Sequence, residues 1–200
     1  SFAVKVTNAS DDKAETTCEN TFSAKTPVCY VSKTGSATWP YDTEAKATPS
    51  FADAIANAAV SVKVVPGTYD LSAAGTLLEV SKSVEITSAS GDAADVVIDL
   101  GGTGCGFALN NAKAKISKIT FTSSAEMGDS SDLTLPRFVD VVAGTVEGCV
   151  FRDITIGGTA NKASYPVRLS ADGVITGCRV VDVAGSPAFA VNGESVYPLW

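Results

Sequence analysis

The sequence predicts an all-β fold, a parallel β-helix solenoid that is entered through one short capping helix. Three segments in the second half of the chain repeat one pattern of apolar and polar residues, with equivalent residues spaced by 30 and then 29 positions. A period in this range is typical of a solenoid. The repeats contain short alternating strands and no helical periodicity. Stacked coils of parallel strands therefore account for them better than alternating strands and helices.

The repeats predict columns of equivalent side chains along the solenoid axis. Ile119, Cys149 and Cys178 form one such column, which we expect to be a small apolar ladder in the core. The Cβ vectors of stacked residues run parallel, which is poor geometry for a Cys149–Cys178 disulfide. The first parts of the repeats align as 107–109, 138–140 and 167–169, and the second parts as 116–121, 146–151 and 175–180.

Three regions are predicted along the chain: a polar extension with one short strand (1–28), an entry strand, loop and cap helix (29–61), and the rungs of the β-helix (62–200). Ser50 is the predicted N-cap of a helix over 50–59, and Asp53 follows three residues later, as in a capping box. The helix is apolar on one side only, so it must lie on an apolar surface. It is well placed to cover an open end of the solenoid, where unpaired strand edges would invite aggregation.

The cysteines predict one disulfide and no metal site. Cys18 and Cys29 flank a polar segment rich in Thr, Ser and Asn, which indicates a disulfide-closed loop, and two unrelated thiols are the alternative. None of the five cysteines belongs to a CxxC pair, so a zinc ribbon or a thioredoxin-like site is not supported.

The entry region carries a family resemblance. Its segments are Tyr30–Gly35, Pro40–Thr43, Phe51–Ile55 and the strand Val62–Tyr69, which has the pattern V-x-V-x-P-G-x-Y. Over residues 29–200 the chain resembles the right-handed parallel β-helix proteins of the pectin-lyase-like type. The resemblance implies a right-handed coil and a secreted or cell-surface location. It leaves the activity open, because members include polysaccharide lyases and hydrolases, autotransporter passengers, phage tail proteins and structural surface proteins.

The acidic pair Asp153 and Asp182 is a weak candidate for a catalytic or Ca²⁺-binding site. Both residues lie four positions after the column cysteines and should stack. In lyases of the resembled family, clustered aspartates bind Ca²⁺ and an Arg or Lys acts as the base. Here Arg152 and Arg179 stand at non-equivalent positions of the repeat, so no catalytic residue and no metal ligand is assigned. We expect solvated turn residues and no cofactor, with Ca²⁺ entering only under a lyase alternative.

Composition excludes several classes of function. The chain has no His, which rules out a Ser-His-Asp triad within it. The formal net charge of −7 disfavours nucleic acid and anionic membranes as partners. No apolar run approaches the roughly 18 residues that span a bilayer. Many Ser, Thr, Ala and Gly residues and few Lys suit a secreted protein.

The predicted function is a non-enzymatic extracellular structural or adhesive solenoid that self-assembles end to end into a filament or surface layer. The C-terminal residues are apolar, and Val196, Tyr197, Leu199 and Trp200 are the candidates for the assembly end. The expected partners are copies of this chain or a longer solenoid, and an extracellular glycan. The alternatives are a polysaccharide lyase or hydrolase and a glycan-binding module, whose test residues would be the aromatic side chains at 39, 41, 197 and 200.

Overall fold

In the computed structural model the described residues are 25–127, 138–157, 166–185, 189–191 and 194–196. They form a parallel β-solenoid of about five turns with one short α-helix, as the repeat predicts. The helix α1 is Phe51–Asn57, and short 3₁₀ turns lie at Glu44–Lys46 and Ala93–Asp95. The strands are β1 (Thr26–Val31), β2 (Ala58–Val64), β3 (Gly67–Asp70), β4 (Leu78–Val80), β5 (Glu85–Ser88), β6 (Val96–Asp99), β7 (Phe107–Ser117), β8 (Thr120–Thr122), β9 (Val139–Glu147), β10 (Val150–Ile156), β11 (Val167–Thr176), β12 (Arg179–Gly185), β13 (Phe189–Val191) and β14 (Glu194–Val196).

Two sheets run along the solenoid axis. Within the described ranges, the larger sheet has the order β1-β2-β5-β7-β9-β11-β13-β14, with β4 also paired to β7, and the smaller has the order β3-β6-β8-β10-β12. Every pairing is parallel except β13 with β14. The strand β7 pairs with β4 through residues 107–109 and with β5 through residues 115–117. The larger sheet therefore bends and covers two sides of each coil, and the smaller sheet covers the third.

The interior consists of columns of apolar side chains contributed by successive coils. In the smaller sheet, Ile98, Phe121, Phe151 and Val180 occupy equivalent register positions. The rings of Phe121 and Phe151 stack with centroids 5.2 Å apart and planes 10° apart. Phe138, from the adjoining segment, contacts both rings at 5.7 and 6.2 Å. Because each coil adds one side chain to a column, the sequence period produces a continuous core of aromatic and aliphatic side chains.

The helix α1 lies on the first coils, and its predicted N-cap is confirmed. The Ser50 hydroxyl accepts a hydrogen bond from the Asp53 backbone N–H at 3.1 Å. The ring of Phe51 meets Tyr69 and Phe107 edge-on, with each pair of centroids 5.5 Å apart. An amphipathic helix of seven residues is stable only through such packing.

The helix is shorter than the predicted range 50–59. It ends at Asn57, and Ala58 is already extended, with φ −67° and ψ 139°. Ala58 and Ala59 belong to β2, whose residue Ala58 is in register with Thr26 of β1. Alanine favours a helix, but pairing with β1 overrides this local preference. The predicted region limits at 28/29 and 61/62 consequently fall inside β1 and β2.

Tyr69 joins the first coils through its phenol as well as its ring. Its hydroxyl donates to the Val65 carbonyl at 2.6 Å and lies 3.2 Å from the Val31 carbonyl. Burial raises the pKa of Tyr69 to about 12. The side chain therefore keeps its proton at pH values where an unfolded tyrosine, with a pKa of about 10, would lose it.

Replacing Tyr69 by Phe should lower the free energy of unfolding at pH 8 by about 1 kcal/mol, the net value of a neutral hydrogen bond. A folded-state pKa above the unfolded value gives stability that is present below pH 10 and is lost as the pH rises toward 12. The stability difference between the wild type and the variant should therefore narrow between pH 8 and pH 11. Urea unfolding at the two pH values measures this, and a difference that is independent of pH would contradict it.

Candidate functional site

The strand β12 is the last described strand of the smaller sheet. Within the described residues β12 pairs with β10 on one side and with no strand on the other. Phe151 of β10 is 1% exposed, whereas its register partner Val180 is only partly buried. Ile154 and its partner Val183 differ in the same way. The apolar columns of the core thus reach this edge and are incompletely covered there.

Two outward columns of the smaller sheet carry charged side chains. One outward column begins with Asp70 and Asp99 on the first two strands and reaches Arg152 on β10. The neighbouring outward column ends with Arg179 at the start of β12. In these two columns aspartates stand at the β3 end and arginines at the β12 end, while Asp153 and Asp182 add carboxylates to the same outer surface on β10 and β12.

The two aspartates are held ionised by local hydrogen bonds. Hydrogen bonds from the side chain and backbone of Ser72 lower the pKa of Asp70. Partial burial acts to raise the pKa of Asp99, but hydrogen bonds from the backbone N–H groups of Ser124 and Gly101 leave it lower than usual. Both groups carry a negative charge at neutral pH.

At the opposite end of the solenoid, the described residues pair with the edge of one sheet and not with the edge of the other. The segment around residues 38–48 pairs with the outer edge of β1, through Tyr30 N–H to Tyr41 O at 2.8 Å and Thr48 N–H to Tyr30 O at 3.1 Å. Along the described chain, no strand pairs with the outer edge of β3. Lys33 Nζ donates to the Thr68 carbonyl on that edge at 3.2 Å. Among the described residues, the edge of β3 is thus a second strand edge without a strand partner, parallel in direction to β12.

The register places Ile119, Cys149 and Cys178 one above another. Val150 pairs with Thr120 and with Arg179, so the residues just before them stack. The preceding turn residues Lys118, Gly148 and Gly177 have φ values of 55°, 59° and 61°. The same left-handed turn thus precedes the inward residue in these three coils. Ile119 and Cys149 are fully buried, while Cys178 is partly exposed at the open edge.

The thiols of Cys149 and Cys178 interact and are not joined by a disulfide. Their mutual hydrogen bond lowers the pKa of Cys178 to about 7 and raises that of Cys149 well above its usual value. Burial also raises the pKa of Cys149. Cys178 is consequently the more acidic member of the pair.

The acidic pair Asp153 and Asp182 occupies one register position on the outer surface. Their flanking residues pair in register, and both have left-handed backbones with φ of 54° and 52°. Aspartate tolerates this conformation better than most residues. The Asp153 carboxylate forms an exposed ion pair with Arg152. No group of three or more His, Cys, Asp or Glu side chains suited to a metal ion occurs among the residues that the structure describes.

A buried ion pair was missed by sequence reasoning. Asp140 of β9 and Arg168 of β11 are direct register partners, and Arg168 Nε donates to Asp140 Oδ1 at 3.0 Å. A second contact joins Arg168 Nη2 to Asp140 Oδ2. Asp140 is only 5% exposed. The opposite charges would have indicated the pair only if the register of β9 and β11 had been known.

The predicted alignment of the first parts of the repeats is wrong by one residue at β9. Phe107 and Val167 both pair with Val139, not with Phe138. The register shifts between Leu109 and Lys115 in β7 and between Leu169 and Asp172 in β11. These irregularities change the local spacing, so a constant period misplaces β9.

The predicted disulfide and the predicted assembly end each include residues that lie outside the described part of the chain. Cys29 is a fully buried thiol whose Sγ lies 3.6 Å from the Pro40 carbonyl, and it forms no disulfide in this structure. Cys18 lies outside the described residues, so the loop closure stays a prediction. Val196 is the last residue of β14, which pairs antiparallel with β13. Tyr197, Leu199 and Trp200 lie outside the described residues.

Comparison with known proteins adds no assignment. No protein-family model, no curated protein and no solved structure matches this chain. The helices of the described residues include none that is long and apolar enough to cross a membrane.

Proposed function

We propose that this chain is a structural β-solenoid that assembles end to end, with the open edge of β12 in one copy pairing with the open edge of β3 in the next. The observation that carries the proposal is the β12 edge itself, where half-covered apolar columns meet a strand edge that has no strand partner among the described residues. Such an edge is a template for another strand. Pairing of this kind would bury the columns in the way each internal coil buries its neighbour.

The register of the existing coils predicts how two copies would meet. In the smaller sheet, Gly67, Thr68, Tyr69 and Asp70 of β3 occupy the positions of 178, 179, 180 and 181 four coils later. A second copy added in the same register would set Tyr69 beside Val180 in the core. It would also set Asp70 diagonal to Arg179, within reach of a long side chain.

Charge supports this direction of assembly. Arg179 is exposed and makes no ion pair within the described ranges, and Asp70 is ionised and exposed. Head-to-tail contact brings these opposite charges together, whereas contact between two β12 edges would bring Arg179 near its own copy. The contact is heterologous, so it propagates into a filament unless rotation closes a ring.

The resemblance to pectin-lyase-like surface proteins supports an extracellular, adhesive setting for such an assembly. The lyase or hydrolase alternative has less support, because Asp153 is engaged by Arg152 on the exposed face of β10. The glycan-binding alternative rests on Trp39, which is 57% exposed. Binding of an oligosaccharide that is lost in Trp39→Ala, by a chain that stays monomeric, would favour that alternative.

Charge reversal at the proposed junction is a direct test. Arg179→Glu should weaken self-association by at least about tenfold, because like charges would face each other across the contact. Asp70→Lys should have the same effect, and the double variant should recover association. Lys113→Glu is the matched control, since it changes the charge equally on an exposed residue of β7. Sedimentation velocity over a range of concentrations, with electron microscopy, measures the outcome.

Two results would refute the proposed function. The first is a wild-type chain that remains monomeric at every concentration tested. The second is association that Arg179→Glu and Lys113→Glu weaken equally, because that would reflect net charge and not a specific junction.

A further inference from the structure

The stacked thiols of Cys149 and Cys178 form a pair of soft ligands between two adjacent coils. They immediately precede the register partners Val150 of β10 and Arg179 of β12, and these neighbouring strands are spaced by about 4.8 Å. Each sulfur also faces backbone carbonyls of its own and the preceding coil. Cys149 Sγ lies 3.7 Å from Glu147 O and 3.9 Å from Ile116 O, and Cys178 Sγ lies 3.5 Å from Thr176 O and 3.7 Å from Val146 O.

These carbonyl contacts are weak, because a thiol is a poor hydrogen-bond donor. Binding of a cation by the sulfurs would therefore sacrifice little existing hydrogen bonding. A cation from solvent would reach the pair through Cys178, because Cys178 is partly exposed, whereas Cys149 is fully buried.

The number of ligands restricts the class of metal. A structural zinc site needs four ligands in a tetrahedron, and the described residues contain no cluster of three or more. Monovalent d¹⁰ ions such as Cu(I) are satisfied by two thiolates in a line, and soft sulfur ligands select them. Two metal–sulfur bonds of about 2.3 Å in a line need the sulfurs about 4.6 Å apart, so the two hydrogen-bonded thiols would have to separate slightly to admit the ion, which a backbone spacing of about 4.8 Å allows.

We propose that Cys149 and Cys178 bind a soft monovalent metal ion of the Cu(I) class between the last two described coils. The ion forms one bond to each sulfur and keeps its oxidation state. Cys149 releases its thiol proton to solvent, and Cys178 binds as the thiolate after releasing any proton that it still carries. The site depends on the two thiols and their register alone, so it does not rest on the proposed assembly.

The test titrates the full, reduced chain with Cu(I) under anaerobic conditions, in competition with bicinchoninate. We expect the wild type to bind one more equivalent of Cu(I) than Cys178→Ser binds. The affinity at this site should fall by more than about 100-fold in the variant, because loss of an outer-shell partner alone costs about 10–100-fold. Cys105→Ser removes a buried cysteine elsewhere and should retain the equivalent. X-ray absorption should find two sulfur neighbours per copper.

Folding of the variants is checked by urea unfolding. Cys178 is partly exposed, so its serine variant should keep a wild-type transition, and Cys149→Ala provides a second variant in which the other ligand is lost. Equal Cu(I) binding by the wild type and both folded variants would overturn the proposal. A copper site with three or more sulfur neighbours would also overturn it.

Discussion

Replacing Phe151 by alanine should lower the free energy of unfolding by about 3–5 kcal/mol. The ring is 1% exposed, stacks on Phe121 at 5.2 Å and contacts Phe138 at 6.2 Å. Parallel ladders hold the strand on both sides, through Thr120 and Arg179 as partners of Val150. The coils cannot close onto the vacated volume without breaking these ladders, so the cavity should persist.

Urea or guanidinium unfolding measures this effect. Val142→Ala is the matched control, because Val142 is 41% exposed and its truncation should change the stability by no more than about 0.5 kcal/mol. Phe151→Leu should cost less than Phe151→Ala, because leucine refills part of the space. A loss below about 1 kcal/mol in Phe151→Ala would mean that the aromatic column does not support the core.

Replacing Arg168 by methionine should also lower the free energy of unfolding by about 3–5 kcal/mol, because it removes the cation that faces the buried Asp140 carboxylate. Asp140 is 5% exposed, and two guanidinium contacts hold it. An ionised carboxylate without a countercharge is costly in such a site. The aliphatic part of Arg168 is retained by methionine, so most of the loss reports the charge.

Two further variants separate the charge effect from packing. The double variant Asp140→Leu, Arg168→Met should be more stable than Arg168→Met alone, because it leaves no buried charge. Arg152→Met removes the partner of Asp153 in an exposed ion pair and should cost less than about 1 kcal/mol. Equal losses in Arg168→Met and the double variant would show that packing, and not the unpaired carboxylate, is responsible.

Much of the fold was predictable because successive coils of a solenoid repeat the same local backbone structure. The left-handed turn before each inward residue recurs at Lys118, Gly148 and Gly177. The spacing of 30 and 29 residues therefore places Ile119, Cys149 and Cys178 in one column. The N-cap at Ser50 was equally predictable, because a cap depends on residues within one turn of the helix.

Non-local pairing explains the errors. The helix ends at Asn57 because Ala58 enters a ladder with Thr26, which lies more than thirty residues earlier in the chain. The register of β9 is shifted by irregularities in β7 and β11. The same shift conceals the Asp140–Arg168 pair, since a constant period does not align these two residues.

The candidate site was predictable only in part. The acidic pair and the cysteine column were evident as repeat positions, but their surroundings were not. Which edges of β12 and β3 lack a strand partner among the described residues depends on how the coils stack, and no residue pattern within one coil reports it. The positions of Asp70 and Arg179 relative to each other likewise follow only once five strands are laid side by side.

By itself the sequence determined the coil: its period, its inward residues and its tight turns, because these follow from alternation and backbone sterics over a few residues. The tertiary structure alone decided which edges remain open, which charges meet and which thiols touch. Those features depend on register between strands about thirty residues apart, and register is set by the sum of many pairings and not by any single segment.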